Sequence, residues 1–149
     1  MLSIADLAGW KEKRTKVRIG DREIQIRALS MKDRARAEVA AGAMPAAPLK
    51  ANPNKGSIAP LEADDRDPGY LAQRQQWLRR LATAQVVLMT DYQSAGMVKE
   101  GRTITSDDDV KAAIEEVQGV LPEMVVEHLL EAQERLVSEM TEGKDPLKN

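Results

Sequence analysis

The stretch from Asp67 to Tyr92 constrains the fold more than any other part of the chain. At about 100° per residue, Tyr70, Leu71, Trp77, Leu78, Leu81, Ala82, Ala84, Leu88 and Met89 fall on one arc roughly 160° wide. Gln73, Gln76, Arg79, Arg80 and Asp91 fall outside it. Asp67 can cap the first turn, and Pro68 suits the first helical position, where its missing N–H costs nothing. The pattern predicts a helix of about six turns. It carries Trp77, one of two tryptophans in a chain without phenylalanine. Propensity alone stabilises such a helix little, so its apolar face must be covered by other elements. Trp77 is expected in that core. The last turns, Val86, Val87, Leu88 and Met89, are apolar nearly all round, which predicts that this end lies deepest.

A chain of 149 residues is expected to form a single domain over 1–149, burying roughly two-thirds of its unfolded surface. Its apolar mass comes from Ala, Leu, Val, Ile and Met rather than aromatics, which favours helices. The absence of cysteine excludes disulfides, thiolate catalysis and cysteine-based metal sites, and fits a reducing compartment. No basic-then-apolar leader pattern and no apolar run near the length of a membrane span is seen, so neither export nor membrane insertion is expected. The net charge of -2 hides an asymmetry. Residues 1–40 hold 10 Lys/Arg against 6 Asp/Glu, residues 41–99 hold 7 against 5, and residues 100–149 hold 5 against 13. A nucleic-acid binder wants a concentrated positive face, so nucleic acid is not the expected partner.

In chain order, residues 1–29 form an N-terminal segment and hairpin. Met1 to Trp10 reads as a short opening helix, with Ser3 and Asp6 in capping-box spacing. Trp10 is open to two readings, core or half-exposed. Val17 and Ile19 then alternate with Lys16 and Arg18, Gly20-Asp21 allow a turn, and Ile24 and Ile26 alternate with Gln25 and Arg27. A two-residue loop sets Val17 opposite Ile24, and a four-residue loop sets Ile19 opposite Ile24. Either keeps the same residues on one face. Two strands alone are marginal in water, so that face must rest on helices or gain a third strand, for which Arg102-Thr103-Ile104-Thr105 is the candidate.

Residues 30–42 read as a helix capped by Ser30 with Asp33 as its capping-box partner and ended by Gly42; Met31, Ala35, Val39 and the neighbouring alanines are its packing residues. Residues 43–66, with Pro45, Pro48, Pro53 and Pro60, are expected to be a flexible Pro-rich loop. Residues 67–142 are the helical core. Within it, Gly96 and Gly101 bracket a turn region. Ser106 caps a helix whose first turn holds Asp107, Asp108 and Asp109 and whose face is Val110, Ala113, Ile114, Val117 and Leu121. Gly119 ends it and Pro122 opens the last helix. There Val125, Val126, Leu129, Leu130, Ala132, Leu136, Val137 and Met140 share an arc of roughly 160°, interrupted only by Gln133. Residues 143–149 are a polar tail.

Residues for catalysis are scarce. His128, the one histidine, sits on the charged face of the last helix with Glu127 and Glu131 nearby, and a solvated surface histidine explains it better than a metal ligand. No HExxH, CxxC, GxSxG or Walker pattern supports an enzyme, and no cofactor is implied. Asp107-Asp108-Asp109 lacks the alternate spacing, the mid-loop glycine and the distal glutamate of a calcium loop, and reads as a helix cap. Lys11, Lys13, Arg14, Lys16 and Arg18 could meet phosphates, but Glu12 interrupts them and a solvated strand edge is the simpler reading. The wide apolar arcs of two helices leave room for an exposed groove suited to a partner helix.

The run "IQIRALSMKDRARAEV" follows a hairpin strand with Arg-x-Leu-Ser and a charged helix. In that it resembles the opening of tail assembly chaperones of long-tailed (siphovirus-type) bacteriophages. The later "VLPEMVVEHLLEAQERLVSEM" is similar to the Leu-Pro and helix that close many of those proteins. The resemblance covers about half the chain. It implies a non-catalytic protein of the host cytoplasm that binds the helix-rich tape measure protein, keeps it soluble, helps recruit tail tube subunits, and is absent from the finished virion. Members of that family are often extended by a ribosomal frameshift near the end, for which Glu142-Gly143-Lys144 is a candidate position.

The expected fold is mainly α (α+β): an N-terminal β-hairpin packed on a bundle of about four helices, with a long Pro-rich loop. The expected partner-binding residues are Val126, Leu130 and Val137, at the edge of the last helix's apolar arc. A homo-oligomer is compatible with the pattern. The alternatives from other classes are a small structural or connector protein of the phage particle and a small transcriptional regulator using the basic N-terminal segment.

Overall fold

Two β-strands and four helices make the body of the computed structural model, which describes residues 13–51, 60–91 and 106–142. Strands β1 (Arg14–Ile19) and β2 (Arg22–Arg27) form an antiparallel hairpin. Helices follow as α1 (Met31–Ala41), α2 (Pro68–Met89), α3 (Asp107–Gln118) and α4 (Glu123–Thr141). The mainly helical α+β fold with a hairpin on four helices is as expected. The opening helix with Trp10, the candidate third strand at 102–105, the turn glycines Gly96 and Gly101 and the polar tail lie outside the described residues.

Of the two hairpin registers open in the sequence, the structure takes the two-residue loop: Val17 faces Ile24, and Ile19 faces Arg22. Gly20 turns with φ 63° while Asp21 keeps a negative φ, the arrangement of a II′ turn, which matches the twist of the strands. Val17 and Ile26 are buried and rest on α2 and α4 together with Val86, Met89, Val126, Leu129 and Ala132. Helices cover the hairpin's apolar face, as the marginal stability of two strands requires.

The C-terminal end of α2 is buried on every side. Ala84, Val86, Val87, Leu88 and Met89 are at most 2% exposed. Ala84, Val87 and Leu88 face α1 and α3, where Ala37, Ala40, Val110, Ala113, Ile114 and Val117 close one core cluster. Val86 and Met89 face the hairpin and α4 and close a second. Leu29 and Leu121 touch both. The N-terminal half of the same helix is open, with Leu71 and Leu78 more than 40% exposed.

Helix α1 packs through the alanines expected of it but not through Met31, Ala35 or Val39. Ser30 and Asp33 do form the capping box. The buried positions, however, are Asp33, Ala37, Ala40 and Ala41, whereas Met31, Ala35 and Val39 face solvent. The reason is separation: a face of alanines lets helix axes approach more closely than a face of long side chains. Its last turn contains no basic residue, so the free carbonyls there need donors from elsewhere. Trp77 Nε1 donates to Gly42 O at 3.0 Å and Arg80 Nε to Ala41 O at 3.3 Å. This also corrects the placement of Trp77, which is half-buried over the end of α1 rather than in the core; its indole N–H needs a partner, and the helix end supplies it.

An ionic network docks the hairpin. Arg14 and Arg27 are opposite each other across the strands, an unfavourable pairing unless an anion lies between. Asp91 supplies it, with contacts of 2.8 Å to Arg14 and 2.9 Å to Arg27. It does so from a left-handed backbone, φ 52°, just past the end of α2. Arg27 also meets Asp33 at 2.6 Å, and Asp33 accepts from the Ser30 N–H at 2.9 Å. Burial opposes both charges. The hydrogen bonds outweigh it, holding Asp33 below the usual carboxylate range and Arg27 above the usual arginine value.

The Pro-rich segment carries a two-residue antiparallel ladder between β3 (Leu49–Lys50) and β4 (Glu62–Ala63), where a connection without structure was expected. Asp64 N–H donates to Pro48 O at 2.7 Å and Lys50 pairs with Asp64 at 3.3 Å. Pro48 and Pro60 sit outside the ladder, where their missing N–H does no harm.

Two outcomes test this packing. Ala37→Leu should destabilise the fold by about 1–3 kcal/mol through overpacking, while Met31→Ala and Val39→Ala should stay within about 0.5 kcal/mol of wild type; urea unfolding measures all three. Asp33 has a depressed folded-state pKa, so its contribution is present above the unfolded value of about 3.9 and is lost as pH falls through the folded one. Asp33→Asn should remove that part of the acid sensitivity and cost about 2 kcal/mol at neutral pH, the scale of a hydrogen bond to a charged group.

Candidate partner-binding surface

The turn between α3 and α4 creates a concave surface. Gly119 N–H donates to Glu115 O at 3.2 Å and Leu121 N–H to Val117 O at 2.8 Å, which ends α3 and leads directly into Pro122 and α4. The last helix then runs beside the buried end of α2 and leaves that helix's earlier turns uncovered. A groove of ≈ 400 Å³ lies between them. Its apolar lining is Leu78 and Ala82 from α2, Val117 from α3, Leu121 from the connection and Val126 from α4. Gln75, Arg79, Thr83, Gln118, Glu123 and Glu127 form the polar part of its lining. Arg79 pairs with Glu123 at 3.2 Å across one end, both side chains about half exposed, which makes it a weak tie.

Leu71 extends the apolar line beyond the groove. Residues 71, 75, 78 and 82 follow steps of four, three and four, which place them within about 60° on one side of the helix. Leu71 is 44% and Leu78 42% exposed. Leu71 and Leu78, with Gln75 between them, form an exposed line that runs into the apolar lining of the groove.

The sequence-derived binding residues divide here. Val126 is 8% exposed and packs in the second core cluster, with one side lining the groove. Leu130 packs partly against that cluster, and Val137 is half-buried further along the helix. Neither Leu130 nor Val137 lines the groove. Gln133, which interrupts the arc in sequence, is buried with its Nε2 unpartnered among the described residues. Leu71 and Leu78 were grouped with the core by periodicity. The signal that sets them apart is their company: Gln73, Arg74, Gln75, Gln76 and Arg79 surround them, whereas Val86 to Met89 have no such neighbours.

A second groove of ≈ 330 Å³ lies between β1 and α4, with Lys16, Arg18, His128, Arg135 and Glu139 among its lining residues. His128 Nε2 is 3.3 Å from Arg18 O, so the histidine touches the hairpin edge. Among the described residues, no three His, Asp or Glu side chains converge as a metal site, and no helix is long and apolar enough to cross a membrane.

Leu78→Asp should leave the unfolding free energy in urea within about 0.5 kcal/mol of wild type, as a surface change does. Val126→Asp should cost about 3 kcal/mol or more by burying a charge without a partner. Circular dichroism of the two variants separates groove surface from core. Comparison with family models, curated proteins and solved structures finds no match for the chain.

Proposed function

We propose that the chain is a non-catalytic tail assembly chaperone of a long-tailed bacteriophage, which shelters a helical segment of the tape measure protein and helps recruit tail tube subunits. The observation that carries this reading is the open groove with its leucine row, because a three-turn apolar line beside a concave apolar lining suits an amphipathic helix. The resemblance of residues 24–39 and 120–140 to such chaperones supplies the identity of the helix. The protein then acts in the host cytoplasm and leaves before the particle is complete. Sheltering is transient by design: the leucine row remains exposed until a partner covers it, and release returns it to that state.

Co-expression with the candidate tape measure protein tests this. The large partner should become soluble and co-purify with the chain. Leu78→Asp should reduce recovery while leaving helical content unchanged, and Leu130→Asp should do so if the edge of α4 takes part. A partner that stays insoluble, with nothing co-purifying, would contradict the proposal. Mass spectrometry of purified particles should find the chain absent; finding it at stoichiometric levels would favour a structural connector.

A further inference from the structure

We infer that the groove selects a helix with a basic flank and seats it with that flank toward α4; this rests on the groove being the partner site proposed above. Glu123, Glu127, Glu131 and Glu134 are exposed and fall within about 80° of one another on α4. The first two reach the groove itself. Glu123 and Glu127 flank Val126 in the groove lining, so a helix seated there meets these two carboxylates on its α4 side, while Glu131 and Glu134 continue the acidic row beyond the groove. Among the described residues, Arg79 pairs with Glu123 of this row. On the opposite wall, α2 presents Gln75 and Arg79. One wall is acidic and the other neutral to basic. Residues 100–149 as a whole hold 13 acidic side chains against 5 basic.

An occupant is therefore specified in three respects. It spans the row from Leu71 to Ala82, a rise of about 16 Å or three helical turns. It carries an apolar ridge for Leu71, Leu78 and Ala82. It carries Lys or Arg beside that ridge for Glu123 and Glu127. Electrostatic complementarity of this kind sets orientation and partner choice, while the apolar contact holds the complex. A second copy docking through its own α4 would set carboxylates against carboxylates, which disfavours self-association by that face.

The test uses two synthetic amphipathic helical peptides with the same leucine ridge, flanked by lysines in one and by glutamates in the other. Fluorescence anisotropy with the full chain reads their affinities. The lysine-flanked peptide should bind about tenfold or more tighter, with an advantage that shrinks as salt rises. Combining Glu123→Lys with Glu127→Lys should reverse the preference, and Leu78→Asp should weaken both peptides. Equal affinities, both lowered by Leu78→Asp, would overturn the basic-flank inference while leaving the groove as a partner site. A lysine-flanked peptide indifferent to Leu78→Asp would overturn it as general charge attraction, and so would the absence of binding by either peptide. Sedimentation of the chain alone should show a monomer; a dimer dissolved by Leu78→Asp would give the groove to a second copy and overturn the inference too.

Discussion

A turn of helix cannot be apolar on all sides unless something surrounds it, and the end of α2 imposes that constraint on the fold. From Val86 to Met89 that helix has no polar face to offer water. Two layers are needed, and the chain supplies both: α1 and α3 on one side, the hairpin and α4 on the other. Neither layer is self-sufficient. A two-stranded hairpin is marginal alone, and α1 has little apolar surface beyond alanines. Their common support is the same short length of helix, which is why the core divides into two clusters that share α2 and are joined by Leu29 and Leu121.

Electrostatics fix how the layers approach. The chain leaves α2 through a left-handed Asp91, and that carboxylate neutralises the two arginines that face each other on the hairpin. Arg27 then continues to Asp33, which also serves the N-terminus of α1. One contiguous set of charges thus joins the hairpin, the start of α1 and the end of α2. At the other end of α1, Trp77 and Arg80 donate to carbonyls that the helix leaves free. Helix α2 therefore supports α1 by apolar contact in the middle and by hydrogen bonds at its end.

Much of this fold was legible before any coordinates. Local rules found the elements because their causes are local: Ser30 with Asp33 and Ser106 with Asp109 close both capping boxes, Asp67 and Pro68 begin α2, and Val110, Ala113, Ile114 and Val117 line the buried side of α3. The depth of Val86 to Met89 followed from composition alone. Other features depend on contacts between distant residues. Nothing near Met31 or Val39 says that the alanines win the packing; that depends on how closely α2 and α3 approach. Asp91 became a clamp only once the hairpin arginines were placed beside it. The site was partly legible. Apolar arcs of matching width suggested a groove, and Val126 lines it. Periodicity cannot tell a covered leucine from an open one, so Leu71 and Leu78 were assigned to the core.

The division within α2 connects stability to function. Its C-terminal end is committed to the fold, and its N-terminal turns, uncovered among the described residues, are where the proposed partner would sit. Hydrogen exchange across this helix, with and without the co-expressed partner, tests that division most directly. Amides of residues 84–89 should exchange at the slowest rates in the protein, reached only through global unfolding, while those of 71–78 exchange faster through local opening. Bound partner should slow residues 71–82 and leave the hairpin unchanged. Uniform protection along α2 in the free protein, or partner protection confined to another face, would contradict it.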